Sequence, residues 1–122
     1  MTASHRVLLV SGDLMATSRL AAAGRDAGIE MHVAVRLPEP ASGAAFDAVV
    51  LDLQAAGSDV AGQVTAARRL AAASGVVVAF GPHVWKDKLE AAVAAGADAA
   101  VSRGEVMSDL PGVLTRARAA RA

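Results

Sequence analysis

Five short runs of this chain carry β-type residues: Arg6 to Val10, Glu30 to Val35, Phe46 to Leu51, Gly75 to Phe80, and Ala99 to Val101. Several of them, such as Val7-Leu8-Leu9-Val10, are unbroken Val, Leu and Ala rather than alternating apolar and polar. A strand with one wet face alternates, whereas an unbroken run fits a strand covered on both faces by crossover helices. The intervening segments have helical spacing. Ala16, Leu20, Ala23 and Ala27 form one stripe, and Val60, Val64, Ala67 and Ala71 a second. Trp85, Leu89, Ala92 and Val93 form a third, and Leu110, Val113, Leu114 and Ala117 a fourth. Strand and helix in alternation imply an α/β fold with a parallel sheet and right-handed crossovers.

Local punctuation agrees with this reading. Gly28 and Gly96 stand where helices should end, Ser58 and Ser108 are placed to cap helix starts, and Arg116, Arg118 and Arg121 suit the negative end of a last helix. One connection breaks the pattern. The crossover from Arg36 to Ala45 contains Pro38 and Pro40 and falls short of the roughly dozen residues that a helical crossover takes. Its helix is expected to be shortened to a turn or two, or missing.

Composition removes several classes of function. The chain of 122 residues fits one domain, residues 1–122, and its 54% hydrophobic content is ample for one core. With one Trp, two Phe and no Tyr it lacks stacking platforms for bases or sugars. Twelve basic residues balance twelve acidic ones, and the largest basic cluster is Arg68-Arg69, so nucleic acid is not an expected partner. The absence of Cys excludes disulfides, thiolate chemistry and Cys-based zinc sites. Val7 to Val10 is too short for a signal segment, and no stretch reaches the ~18 apolar residues of a membrane span. A cytoplasmic protein without a membrane partner is expected.

The chemistry-bearing residues gather at one place in this scheme. Asp52 closes the third apolar run, at the carboxyl edge of the sheet, where open α/β folds bind ligands. A carboxylate there can accept a phosphoryl group, help to hold a metal, or satisfy the N–H groups of the next loop. Ser11-Gly12-Asp13 follows the first strand, but a dinucleotide fingerprint needs three glycines and only Gly12 is present. Two roles are open to Asp13, a helix cap and a metal ligand. His5, His32 and His83 have no ligand spacing, although His83 falls on the same edge as Asp52. Trp85 belongs either to the core stripe or to an interface.

These features taken together resemble the CheY-like receiver domain of bacterial response regulators. The resemblance rests on the five βα units, the apolar strand ending in Asp52, and Ala94-Ala95-Gly96-Ala97-Asp98-Ala99-Ala100-Val101, and it covers essentially the whole chain. It implies a three-layer, flavodoxin-like fold with a five-stranded parallel sheet of order 2-1-3-4-5 and a phosphoacceptor position at Asp52. The family's other catalytic positions are not kept. Its adjacent Mg²⁺-binding acids match Ser11 and Gly12, with Asp13 displaced one residue onward. Its Ser or Thr at the end of strand four matches Phe80, its switching aromatic matches Ala100, and its Lys and cis Pro match Arg103 and Gly104. The Met-Pro pair usual after the phosphoacceptor is absent from Leu53 to Ser58.

Phosphoryl transfer is catalysed chiefly by positioning and charge neutralisation, so a lone carboxylate is insufficient. The resemblance therefore implies a pseudo-receiver: a stand-alone signalling domain of a two-component-type pathway, not an enzyme and without a cofactor. It would act by protein–protein interaction through the surface of the fourth helix, fifth strand and fifth helix. Its vestigial pocket would gather Ser11, Gly12, Asp13, Phe80, His83 and Arg103 around Asp52, which would accept loop N–H groups or pair with Arg103. Two alternatives stand beside this. One is a phosphorylatable regulator in which Asp13 and Asp52 hold Mg²⁺ and Arg103 replaces the Lys. The other is a small-molecule-binding or enzymatic α/β domain using the crevice between strands one and three.

Overall fold

A computed structural model describes residues 5–39, 45–56 and 59–121. The elements run β1 (Arg6–Val10), α1 (Leu14–Asp26), β2 (Glu30–Ala34), β3 (Phe46–Asp52), α2 (Leu53–Ala56), α3 (Val60–Leu70), β4 (Ala71–Gly81), α4 (Lys86–Ala94), β5 (Ala99–Ser102), α5 (Arg103–Ser108) and α6 (Leu110–Arg121). All strand pairs are parallel and the sheet order is β2-β1-β3-β4-β5. This is the three-layer, flavodoxin-like architecture that the sequence led us to expect.

The unbroken aliphatic runs have the predicted consequence. Val7, Leu9, Ala48, Val50, Val76, Val78 and Phe80 face one core layer with α1, α5 and α6. Leu8, Val10, Val49, Leu51, Val77 and Ala79 face the other, with α2, α3 and α4. Neighbouring residues of one strand are thus buried on opposite sides. The outer strands β2 and β5 are only partly covered.

Helix ends follow local chemistry, with corrections. Gly28 and Gly96 adopt φ of +80° and +116° just beyond α1 and α4, a backbone that side chains disfavour. Asp109, not Ser108, caps α6 by accepting the Gly112 N–H at 3.0 Å. Ser58 lies outside the described residues, and Asp59 caps α3 through the Gly62 N–H. Residues 36–39 and Ala45 carry no helix, while residues 40–44 of the same crossover lie outside the described part.

Three stripes also need correction. α1 buries Ala16, Thr17, Leu20, Ala21 and Gly24, whereas Ala27 is exposed. Thr17 tolerates burial because its hydroxyl donates to the Leu14 carbonyl, and Gly24 is small enough to lie against Met31. Ala71 is not helical but opens β4. In α4 only Ala92 is fully buried and Val93 is exposed, since the helix lies over the partly covered edge of the sheet.

Between β3 and β4 the register jumps from Phe46↔Ala71 to Ala48↔Val76, so Ala72–Gly75 bulges from the ladder. A Cβ on Gly75 would lie 2.8 Å from the Phe46 carbonyl oxygen and 3.0 Å from backbone atoms of Ala72. Gly75→Ala is therefore expected to destabilise by ~1–3 kcal/mol in equilibrium urea unfolding, because backbone cannot yield as a side chain does. Gly104→Ala, in α5 with open space around it, is expected to stabilise by ~0.4–1 kcal/mol. Equal effects of the two changes would refute the close-approach reading.

Candidate functional site

β1 and β3 pair in register with Val10 opposite Leu51, so the residues that follow, Ser11 and Asp52, meet at the carboxyl edge. Both are almost completely buried, at 2% exposure. The Ser11 hydroxyl donates to Asp52 Oδ2 at 2.7 Å, and the Gln54 backbone N–H donates to Oδ1 at 2.9 Å. The second bond is an Asx turn, in which an Asp side chain holds the N–H two residues on, and it starts α2 directly after the strand. Residues 53–56 are thus a short helix rather than the loop read from the sequence. The Ser11 oxygen also accepts the Asp13 N–H at 3.1 Å, so this hydroxyl ties β1, β3 and the start of α1 together.

Asp13 takes the cap role. Its Oδ1 accepts the N–H groups of Met15 and Ala16 at 3.0 and 3.1 Å. Its Oδ2 accepts from Nη2 of Arg103 in an ion pair. The Ala16 N–H above all, and then the Arg103 guanidinium, hold the Asp13 carboxyl below its ordinary value, against a smaller opposing effect of burial. Nη1 of Arg103 lies 3.4 Å from Gln54 Oε1, so this side chain bridges the β1–α1 turn and the start of α2. Its direction is set by Ser102, which caps α5 by accepting the Glu105 N–H at 3.1 Å.

Of the residues expected around Asp52, the fold brings Ser11, Gly12, Asp13 and Arg103 together. Arg103 pairs with Asp13, however, and not with Asp52. Phe80 is opposite Asp52 in the β3–β4 register, yet its ring is completely buried in the layer with α1 and α6. β4 continues one residue further, to Gly81, so the strand ends beside the site with no side chain at all. His83 is exposed in the turn after β4 and does not line the cleft, and His32 pairs with Glu30 on the edge strand β2. Ala100 is half-buried on β5. Trp85 precedes α4, half-buried against the core, with the Lys88 ammonium 4.0 Å over its ring.

An open cleft of about 590 Å³ lies over Asp52, lined also by Gly12, Asp13, Val35, Arg36, Gln54 and Ala55. Sequence reasoning missed Gln54 and Arg36. Gln54 was detectable in principle from the Asx-turn spacing after a strand-ending Asp, whereas nothing local marks Arg36. Among the described residues no group of three His, Asp or Glu side chains could hold a metal ion. Nor is any helix there long and apolar enough to cross a membrane.

No protein-family model matches this chain, and no curated protein matches it. Solved structures do share its fold. A CheY-like response regulator receiver domain protein from Methanospirillum hungatei is 14% identical with a TM-score of 0.73, covering 96% of this chain and 98% of that one. The receiver domain of a sensor histidine kinase from Pseudomonas aeruginosa, with a magnesium ion coordinated in its active-site cleft, is 17% identical with a TM-score of 0.72, covering 96% and 99%. A structure described as adenylate cyclase from Rhodopirellula baltica is 17% identical with a TM-score of 0.77, covering 98% and 90%. The class of structure is therefore defined: this chain has the receiver-domain fold.

The depressed pKa of Asp13 has a pH signature. A carboxylate whose folded-state pKa lies below its ordinary value of 3.8 contributes stability that is fully present above that value and lost as pH falls through the lower one. Asp13→Asn keeps a good cap but no charge for Arg103. Thermal unfolding across the acid range should show a shallower acid-side decline in the variant than in the parent chain. Parallel pH profiles would refute the ion pair's contribution.

Proposed function

We propose that this chain is a pseudo-receiver, a signalling domain that binds a protein partner without taking a phosphoryl group and without catalysing a reaction. The observation that carries this is the commitment of the pocket's polar groups to one another. Asp52 is engaged by Ser11 and Gln54, and Asp13 by its helix and Arg103. Magnesium prefers octahedral oxygen ligation, usually from one or two carboxylates with waters and phosphate oxygens. The residues present do not fit that ion. The place of the family's first acid is taken by a hydroxyl that donates to Asp52, and the nearest other carboxylate already holds a guanidinium. Among the described residues no hydroxyl on β4 faces Asp52, and Arg103 is held by Asp13. Only Arg36 on the cleft wall is left to meet a transferring phosphoryl group, too little for a transfer that depends on positioning and full charge neutralisation.

The partner surface in this proposal is the face of α4, β5 and α6, the last being the fifth major helix of the sequence reading. Leu89, Val93, Ala94 and Ala100 line an apolar groove of about 430 Å³ there, edged by Glu90, and Val93 is 52% exposed. The charges flanking this face have internal roles. Lys88 lies over Trp85, and Arg116 donates to Glu105 at 2.7 Å. Lys88→Glu would thus lose a cation–π contact of ~0.5–1 kcal/mol as well as change the surface charge, which makes Val93 the cleaner probe.

Incubation with acetyl phosphate and Mg²⁺, followed by intact mass, is expected to show no phosphoryl adduct while a phosphorylatable receiver in the same tube is modified. Asp52→Asn protein that remains folded is expected to keep its partner. A mass shift located to Asp52, or a folded Asp52→Asn chain that loses signalling, would establish the phosphorylatable reading instead.

Val93→Glu is expected to weaken partner capture while leaving the melting temperature nearly unchanged, because the side chain is already largely in water. Undiminished capture would remove this face from the proposal.

A further inference from the structure

The amino edge of the sheet, opposite to Asp52, holds a second cleft, of about 580 Å³, lined by Ala73, Ser74, Arg118 and Arg121. One wall is the bulge Ala72–Gly75 and the other is the last turn of α6. Three guanidiniums converge on this region. Arg68 donates to the carbonyls of Gly75 and Gly96 at 3.0 and 3.1 Å and to Asp98 Oδ2 at 2.6 Å. Arg121 donates to the Ala73 carbonyl at 3.0 Å and lies 3.6 Å from Asp98 Oδ1. Asp98 is therefore shared by two arginines, and it also accepts the Val77 N–H at 2.8 Å.

Arg118 has no such partner. Among the described residues it makes no ion pair, and its Nη2 is buried without a hydrogen bond. A buried donor on a permanently charged group is strongly unfavourable when unsatisfied, more so than a neutral one. The exposed Ser74 hydroxyl stands on the rim of the same cleft, and among the described residues no acidic side chain lines it. Among the described residues three guanidiniums stand against one carboxylate, an excess of two positive charges. The partial charge of roughly minus one half at the end of α6 does not cancel them.

We infer that this cleft is an oxyanion site for a phosphate-type dianion, held by the cleft-facing N–H groups of Arg118 and Arg121 with the Ser74 hydroxyl as a further donor. The two net charges match a dianion, and guanidinium N–H groups form charge-assisted bonds to phosphate oxygens. The bulge is fixed on its inner side by Gly75 against Phe46 and on its outer side by Arg68 and Arg121, so this wall is built before any ligand arrives. The site is independent of the pocket at Asp52 and of the reading given to that pocket.

The test is a titration of the whole chain with inorganic phosphate near neutral pH and at fixed ionic strength, followed by amide NMR, with acetate as the comparison anion. Saturable shifts are expected at Ser74, Gly75, Arg118 and Arg121, with acetate much weaker. Arg118→Gln is expected to weaken phosphate about tenfold, the loss of one charge-assisted contact. Because Arg118 is partly buried and its replacement can disturb α6, Ser74→Glu provides a second variant. It places a carboxylate on the exposed rim and is expected to abolish binding in a chain that melts as the parent does. Absence of saturation at these amides, acetate binding as tightly as phosphate, or unchanged affinity in Ser74→Glu would each overturn the inference.

Discussion

A carboxylate removed from water must be satisfied where it lies, because an unpaired buried charge is far more costly than a buried apolar group. Asp52 is in that position at the end of the central strand, and its two partners decide the local architecture. The Ser11 hydroxyl fixes the end of β1 against the end of β3. The Gln54 amide turns the chain at once into α2, whose Leu53 is fully buried. With the two strand ends and the helix start pinned, the β1–α1 turn comes under Ser11 and the cleft acquires its floor. The aliphatic sheet supplies the bulk of the stability, but this polar knot at its edge determines how the functional end is shaped.

Much of the fold was legible because aliphatic runs and glycine stops act locally. The strands of the sheet and the glycines that end α1 and α4 follow from residues read a few at a time. Errors arose where a neighbour distant in sequence chose the outcome. α1 turns Thr17 and Gly24 inward because a hydroxyl can bond back to Leu14 and because Met31 needs room beside a residue without a side chain. Ala71 continues an apolar periodicity from α3, yet it pairs with Phe46 and becomes strand. α4 was read as a buried stripe and is half-exposed, since the β5 beneath it is an edge strand that offers a narrow surface.

The site was legible as a list of residues and not as a network. Asp13 and Arg103 are 90 positions apart, and no spacing rule connects them. The family resemblance gives Arg103 a place near Asp52, but its guanidinium pairs with the Asp13 carboxylate, whose second oxygen is open beyond the helix cap. Phe80 is the last apolar residue of the fourth run, yet β4 extends one residue beyond it. The Phe80 ring serves the core, and Gly81 closes the strand.

Asp13 has one oxygen in each of two different structures. Oδ1 ends the first helix, and Oδ2 fastens a residue from the far end of the chain. Any event that draws Arg103 away, such as a partner offering it a better acid, therefore raises the negative charge felt by the first turn of α1. That end of a helix favours negative charge, so the helix would tighten as the latch opens. Freeing of the Arg103 side chain and stiffening of the first turn of α1 would then be one event, joining two points 90 positions apart in the primary structure.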